Sequence, residues 1–523
     1  MFKRIKNLLF GSVVGGAIII AVFSIFSRLL GLLRDRLLGS TFGASQTLDS
    51  YYAAFRLPDL IFNTLVLGAL SSAFIPIFLS IWHKDKEEAW QVANSILNIL
   101  LVLMTILVIV LFIFAPQLVN IFVHGFSAEG RTLTTQLTRI MLFSTLFFTL
   151  SNVASSILNS FRRFLAFSAA AVMYNLGIIF GILFLTKWFG PMGLAWGVLL
   201  GAALHFLIQV PALMKSGFRW QPSFNWRQPS VRRIGLLMLP RSFGLAISQL
   251  NEAVTTFIAS GLAVGTISIY NLAFNLISFP INIFGTSLAT SVFPVFSQAM
   301  INNDKNLFLH HFSKTVRRIL YLIVPTMVVV ILLRAQIVRI ILGAGKFSWE
   351  DTILTANTLG FFSLSLFAQS LIPVFARSFY AKHDTKTPVK TAVVGLIINI
   401  ILSLILGRLM GPSGLALALA ISSTINLMLL YFILHKHLGH LDQKNIFLSL
   451  LKIIGLSLVM ALVIQVIKNF LGMNVNMQKF GGVLVQSVLA GLIGAIVYFI
   501  LSIIFKAQEV ELVKRYLRKF FHR

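Results

Sequence analysis

The hexapeptide Gly190-Pro-Met-Gly-Leu-Ala195 returns 221 positions later as Gly411-Pro-Ser-Gly-Leu-Ala416. Outward from it, Pro76 and Phe78 match Pro294 and Phe296 at an offset of 218, as do Gly43 with Gly261 and Tyr52 with Tyr270. A near-constant offset of almost half of 523 residues reads as an internal duplication of the chain. The duplicated material is apolar, with 57% hydrophobic and 11% charged residues, against about 25% charged in ordinary soluble proteins. Mean hydropathy is +0.90. Runs of the roughly 20 apolar residues needed to cross a bilayer recur about 14 times, from 11–36 and 48–82 through 234–260 to 481–505. The spacing therefore predicts an all-α polytopic membrane protein of about 14 transmembrane helices, with two parallel six-helix lobes around a central cavity and two further C-terminal helices. The expected division is 1–214 for the N-terminal lobe, 215–233 for a cytoplasmic linker and 234–436 for the C-terminal lobe. Spans 13 and 14 follow at 446–505, then a basic amphipathic cytoplasmic tail at 506–523.

The charge excess is large, 43 Lys and Arg against 15 Asp and Glu, a formal +28. In a soluble protein it would suggest nucleic acid. Here the cations lie between apolar runs, so no nucleic-acid partner is expected. Lys3, Arg4 and Lys6, Lys84 and Lys86, Arg162 and Arg163, Lys215 to Arg233, Lys305 to Arg318, Lys382 to Lys390, Lys436 and Lys444, and Lys506 to Arg523 fall on one side. The other side offers Arg131, Lys187, Lys346, Arg408, Lys468 and Lys479. Cytoplasmic loops collect Lys and Arg, which puts both termini in the cytoplasm. No small-residue cleavage site follows the basic start, so the first span reads as retained. Val510, Val513, Leu517, Phe520 and Phe521 recur at helical spacing, as in a helix lying on the membrane surface.

Ionisable residues inside spans are costly and mark sites. The first two spans hold Arg28, Arg34, Asp35, Arg36, Asp49, Arg56 and Asp59; span seven holds Arg241 and Glu252, beside Gln249 and Asn251. Arg28 and Asp35 share a helix face about 10 Å apart, and Asp49, Tyr52 and Arg56 share another. Arg241 and Glu252 lie roughly 16 Å apart along their helix, too far to pair. Pro58 and Phe279-Pro280 invite bends at the front of each half. Blander roles stand beside these: interface snorkelling for Arg34, Asp35, Arg36 and Arg241, neutralisation of Asp49 or Asp59 by Arg56, and a structural acceptor in Glu252. His435, His437 and His440 lack carboxylate support, so no metal site is expected, and His205 reads as a packed polar residue. With no cysteine, disulfides and thiol chemistry are excluded. No P-loop, GxSxG, HExxH or dinucleotide fingerprint occurs, so an enzyme is not expected and no cofactor is implied. Transport would draw on the membrane potential, an ion gradient of unspecified ion, or the substrate's own gradient.

Ser27-Arg28-Leu-Leu-Gly31-Leu-Leu-Arg34-Asp35, Phe42-Gly43-Ala44, Asp49 and Phe55-Arg56-Leu57-Pro58 together resemble the MurJ/MviN family of lipid II flippases, within the MOP exporter superfamily. Gly68 to Pro76, Leu158-Asn159, Arg163-Phe164, Gly193-Leu194-Ala195-Trp196, Gln209 with Pro211, Gly345-Lys346-Phe347, Phe379-Tyr380 and Asp384-Thr385-Lys386-Thr387-Pro388-Val389-Lys390 extend the likeness over nearly the whole chain. The resemblance implies outward movement of an undecaprenyl-pyrophosphate-linked disaccharide-pentapeptide across the bacterial cytoplasmic membrane. It implies a basic cavity in which first-lobe arginines hold the pyrophosphate, and a lipid-tail groove formed by 446–505. By motif match Arg28, Arg34 and Asp49 fall on family functional positions and Arg56 on a basic one; Arg241 joins them as a substrate candidate. Asp35, Asp59, Glu252 and Asn275 are the polar or coupling candidates. The chain departs from the family pattern at Leu60-Ile61-Phe62-Asn63, where an arginine is usual, and near Asn275, where another is missing. A monomer is expected, with the bilayer, a polyprenyl-pyrophosphate-linked saccharide and cell-wall synthesis proteins as partners. The competing readings are a flippase for an O-antigen or capsule precursor, a MATE-like antiporter, and a membrane scaffold.

Overall fold

The computed structural model describes residues 13–477 and 479–510, with backbone alone at 13, 14, 17, 67–73, 239–241 and 243. Met1 to Lys6 and the tail positions Val513, Leu517, Phe520 and Phe521 lie outside the described residues. All regular structure among them is helical, as a lipid-embedded chain requires, since a helix satisfies its backbone polar groups within one segment.

Two compact units form, residues 1–268 and 269–523. The first contains α1 (Val13–Phe42), α2 (Gln46–Ala54), α3 (Arg56–Phe62), α4 (Gly68–Trp82), α5 (Lys86–Phe122), α6 (Ala128–Leu142), α7 (Ser144–Ser160), α8 (Phe164–Phe180), α9 (Thr186–Phe189), α10 (Met192–Leu207), α11 (Val210–Met214) and α12 (Pro229–Ser260). Next comes α13 (Thr266–Pro280), whose first turn still belongs to the first unit. The second unit continues with α14 (Ser287–Ile301), α15 (Lys305–Ile341), α16 (Trp349–Ser363), α17 (Leu366–Ala381), α18 (Lys386–Met410), α19 (Pro412–Leu438), α20 (Gln443–Asn474) and α21 (Phe480–Ile504).

Among the described residues, ten helices or continuous helix pairs are long and apolar enough to cross a membrane, eleven if α16 and α17, bent by 42° at their junction, count as one. The expected spans outside that set are α1, the run from α2 to α4, and α12, each of which includes residues described by backbone alone. These carry Arg28 to Arg36, Asp49 to Asp59, and Arg241 with Glu252.

The duplication recurs in the elements. π-Helical turns interrupt the first unit at Asn63–Leu67 and, following α8, at Gly181–Leu185, and the second unit at Ile281–Thr286; the first and last of these begin 218 positions apart, like Pro76 and Pro294. Helices α5 and α15 both have 37 residues. The first glycine of each hexapeptide turns the chain with the same backbone, φ 54° at Gly190 and 59° at Gly411, a left-handed conformation that a side chain would strain.

Within the first unit α8 lies on α10 through a glycine stripe. A Cβ on Gly177 would stand 2.3 Å from Gly201 Cα, and one on Gly181 2.5 Å from Gly197 Cα. Without a hydrophobic drive between helices in lipid, such close backbone packing supplies the association. Phe78, Trp82, Trp90 and Phe161 form an aromatic knot where α4, α5 and α7 meet. The linker after α11 runs extended along α5: Asn98 Nδ2 donates to the carbonyls of Gln221 (2.7 Å) and Ser223 (2.9 Å), and Asn94 Nδ2 to that of Arg219 (3.0 Å). In the second unit Tyr498 of α21 donates to the Tyr321 carbonyl of α15 at 3.0 Å. Glu509, 8% exposed, accepts from Ser449 (2.9 Å) and pairs with Arg317 (3.4 Å).

Candidate functional site

On α1 the guanidinium of Arg34 places both Nε (3.0 Å) and Nη2 (2.8 Å) on Asp35 Oδ1, and its Nη1 on Asn175 Oδ1 of α8 (3.3 Å). Asn175 in turn donates through Nδ2 to Ser27 Oγ (3.1 Å), the Ser27 carbonyl (3.3 Å) and the Ala171 carbonyl (3.0 Å). Asp35 is 3% exposed, so this pair is packed between helices and does not snorkel. Tyr51 and Tyr52 of α2, both buried, and Tyr174 of α8, half-buried, lie within electrostatic range of Arg34. Arg28 is half-buried on the same helix, two turns before Asp35.

A second group joins α3 to α12. Arg56 donates from Nη1 to Glu252 Oε2 at 2.6 Å and from Nε to Thr256 Oγ1 at 2.7 Å. Arg56 is largely covered while the Glu252 side chain is 46% exposed. Asp59 lies within electrostatic range of both. The mate that geometry provides for Arg56 thus comes from span seven, where the sequence offered Asp49 and Asp59.

Asp49 is engaged elsewhere. Its carboxylate accepts from the Gly265 N–H (2.6 Å), the Ser268 N–H (2.7 Å) and Ser268 Oγ (2.6 Å). It is 1% exposed and caps the first turn of α13, whose open N–H groups favour an anion. Asn275 is half-buried on α13 in the second unit, its carbonyl accepting from Ser278 Oγ at 2.8 Å. The side chain of Arg241 lies outside the described residues.

The first unit therefore gathers Arg34, Asp35, Arg56, Asp59 and Glu252, with buried tyrosines between them. Sequence reasoning passed over Asn175, Gly265, Ser268 and Thr256. Thr256 stands one turn from Glu252 and was open to inference from that spacing; Asn175 is a lone amide in an apolar helix and carries no periodic signal. Among the described residues no three His, Cys, Asp or Glu side chains converge as a metal site would need. Guanidinium groups oriented by a carboxylate and an amide inside a membrane are suited to bind phosphate oxygens through paired, charge-assisted hydrogen bonds.

Solved structures put the architecture among transporters. An inward-facing multidrug resistance MATE family transporter of the MOP superfamily superposes with a TM-score of 0.67, covering 82% of this chain and 99% of that one; at 15% identity the likeness is one of fold. The profile of the family described as lipid II flippase MurJ matches residues 38–484, and the chain belongs to that family. A probable lipid II flippase MurJ of Rickettsia prowazekii is 30% identical over 457 residues, 87% of this chain and 90% of the relative. The solved structure of lipid II flippase MurJ in an inward closed conformation is 29% identical, with a TM-score of 0.77, over 93% of this chain and 98% of that one.

Proposed function

We propose that this chain flips lipid II, the undecaprenyl-pyrophosphate-linked peptidoglycan precursor, from the inner to the outer leaflet of the bacterial cytoplasmic membrane by alternating access. It moves the substrate unchanged and so feeds cell-wall synthesis. The family match across residues 38–484 carries this reading, and the polar cluster supplies its chemistry. Arg28 and Arg34 hold the pyrophosphate, with Asp35 and Asn175 fixing the Arg34 guanidinium, and Arg56 and Arg241 add positive charge. Asp59, Glu252 and Asn275 are the groups through which the membrane potential or an ion gradient acts. Asp49, as the cap of α13, biases which conformation is held. Both termini are cytoplasmic, residues 446–505 receive the polyprenyl tail, and the chain works as a monomer alongside cell-wall synthesis proteins.

Arg28→Ala, inserted at the normal level, is expected not to support growth of cells depleted of their own lipid II flippase. Full rescue by that variant would remove the pyrophosphate clamp from the mechanism. Native mass spectrometry of the purified chain offered lipid II and an O-antigen precursor together should show preferential retention of lipid II; preference for the other would reassign the substrate.

A further inference from the structure

A further cation sits in a span and is used by none of the above. Arg139 lies on α6, and the reason a guanidinium is tolerated there is visible in its neighbour. Pro116, inside α5, has no N–H, so the carbonyl four residues earlier, that of Phe112, loses its helical donor. Arg139 Nε fills that vacancy at 3.1 Å, and the guanidinium stacks 4.9 Å from the centre of the Phe112 ring. Among the described residues its terminal amino groups, Nη1 and Nη2, have no protein partner.

Arg139 lines an open-sided groove of about 460 Å³, walled by Gln136, Phe112, Phe143, Trp196 and Leu199. Three of these walls, Phe112, Phe143 and Trp196, are themselves well exposed on the protein exterior, at 36%, 42% and 43%. The depth can be reckoned from the helices. Residues 128–160 form one span of 33 residues, about 50 Å at 1.5 Å per residue, against a hydrocarbon core of about 30 Å. About 10 Å then projects at each end, leaving Arg139 roughly 6 Å below the hydrocarbon boundary on the side of the 123–127 turn. Phe112, ten residues before the end of α5, and Trp196, near the start of α10, reach a similar level. A guanidinium at this depth is within snorkelling distance of the headgroups.

We propose that this groove is a site for an anionic phospholipid of that leaflet. The lipid phosphate receives the two free amino groups of Arg139, and an acyl chain lies along Phe112, Phe143 and Leu199. Charge complementarity chooses the occupant: apart from the uncharged amide of Gln136, Arg139 is the polar wall of an apolar groove and its one charge, so a lipid bearing a net negative phosphate fits better than a zwitterionic one. The site is independent of the polar cluster that serves the proposed transport.

The full chain, purified in detergent, is offered equal phosphatidylglycerol and phosphatidylcholine and read by native mass spectrometry. One phosphatidylglycerol adduct should persist with about tenfold preference. It should be lost in Arg139→Gln and also in Gln136→Trp, which fills the groove while leaving the bond from Arg139 to Phe112 in place. Should Arg139→Gln fail to fold, as freeing the Phe112 carbonyl could cause, Gln136→Trp decides the matter by itself, its melting temperature serving as the control. Equal retention of the two lipids by the unaltered chain, or undiminished phosphatidylglycerol retention in a folded Gln136→Trp, would overturn the site.

Discussion

Asp35 and Arg34 are neighbours on one helix, yet they do the work of an interhelical contact, because Asn175 of α8 completes the guanidinium's set. Removing one member of a buried pair leaves a charge without compensation, at a cost of about 3–5 kcal/mol. Asp35→Ala should therefore lower the melting temperature sharply or prevent accumulation, while Asp35→Ala combined with Arg34→Ala should recover much of that loss, since both partners are then absent. A single variant melting like the unaltered chain would mean that Asp35 does not hold Arg34. Arg34→Lys keeps the charge but not the planar fork. It should fold normally and bind a pyrophosphate-bearing lipid about tenfold more weakly, the effect of one charge-assisted hydrogen bond lost; titration of the two proteins with the same lipid measures it. At this scale the sequence was informative about which charges matter, because Arg28, Arg34 and Asp35 stand out in an apolar run. It was silent about their partners. Asn175 lies 141 positions from Arg34 and Glu252 196 from Arg56, and only the packing of α8 on α1 and of α12 on α3 brings them together.

Elements were legible where apolarity and turn chemistry agreed. The glycine turns at Gly190 and Gly411 and the paired 37-residue helices follow the repeat that the hexapeptide announces. Spans carrying charge were legible as helices, and the π-helical turns had no sequence signature beyond the nearby prolines. Two element-level consequences can be measured. Gly197→Val places a branched side chain where Gly181 Cα lies 2.7 Å from the added Cβ; α8 and α10 must then part, and the melting temperature should fall by far more than for Gly235→Ala, whose added Cβ meets nothing within 4 Å. At the other end of the chain, Asp384 accepts the N–H of Lys386 (3.0 Å), the N–H of Thr387 (3.0 Å) and Thr387 Oγ (2.6 Å) at the start of α18. Burial alone would push this carboxyl up; the hydrogen bonds from Thr387 and Lys386, with His437 nearby, outweigh it and hold the group below the usual carboxylate range. A carboxyl held down in the folded state stabilises above its unfolded value of about 3.9 and loses that contribution as the pH falls through its folded value. The melting advantage of the unaltered chain over Asp384→Ala should be full at pH 6 and shrink below about pH 4. An advantage that grew on acidification would contradict this.

For the whole molecule the governing quantity is where the charge of +28 lies. Loops carrying Lys84 and Lys86, Arg162 and Arg163, and Lys215 to Arg233 alternate with loops carrying single cations such as Arg131 and Lys187, and a bias of this kind sets orientation during insertion. The prediction concerns the entire chain, because one inverted span would invert every loop after it. Absence of cysteine makes the test direct: a single introduced thiol is the sole target of a maleimide. His83→Cys, exposed beside Lys84, and Ala128→Cys, exposed at the first residue of α6, lie beyond opposite ends of α5. In intact cells a membrane-impermeant maleimide should label Ala128→Cys and leave His83→Cys unlabelled until the membrane is opened. The reverse pattern would place the basic loops outside and would put the arginines proposed to hold the pyrophosphate in a protein built to work from the other leaflet, so that the charge bias would no longer explain either orientation or direction.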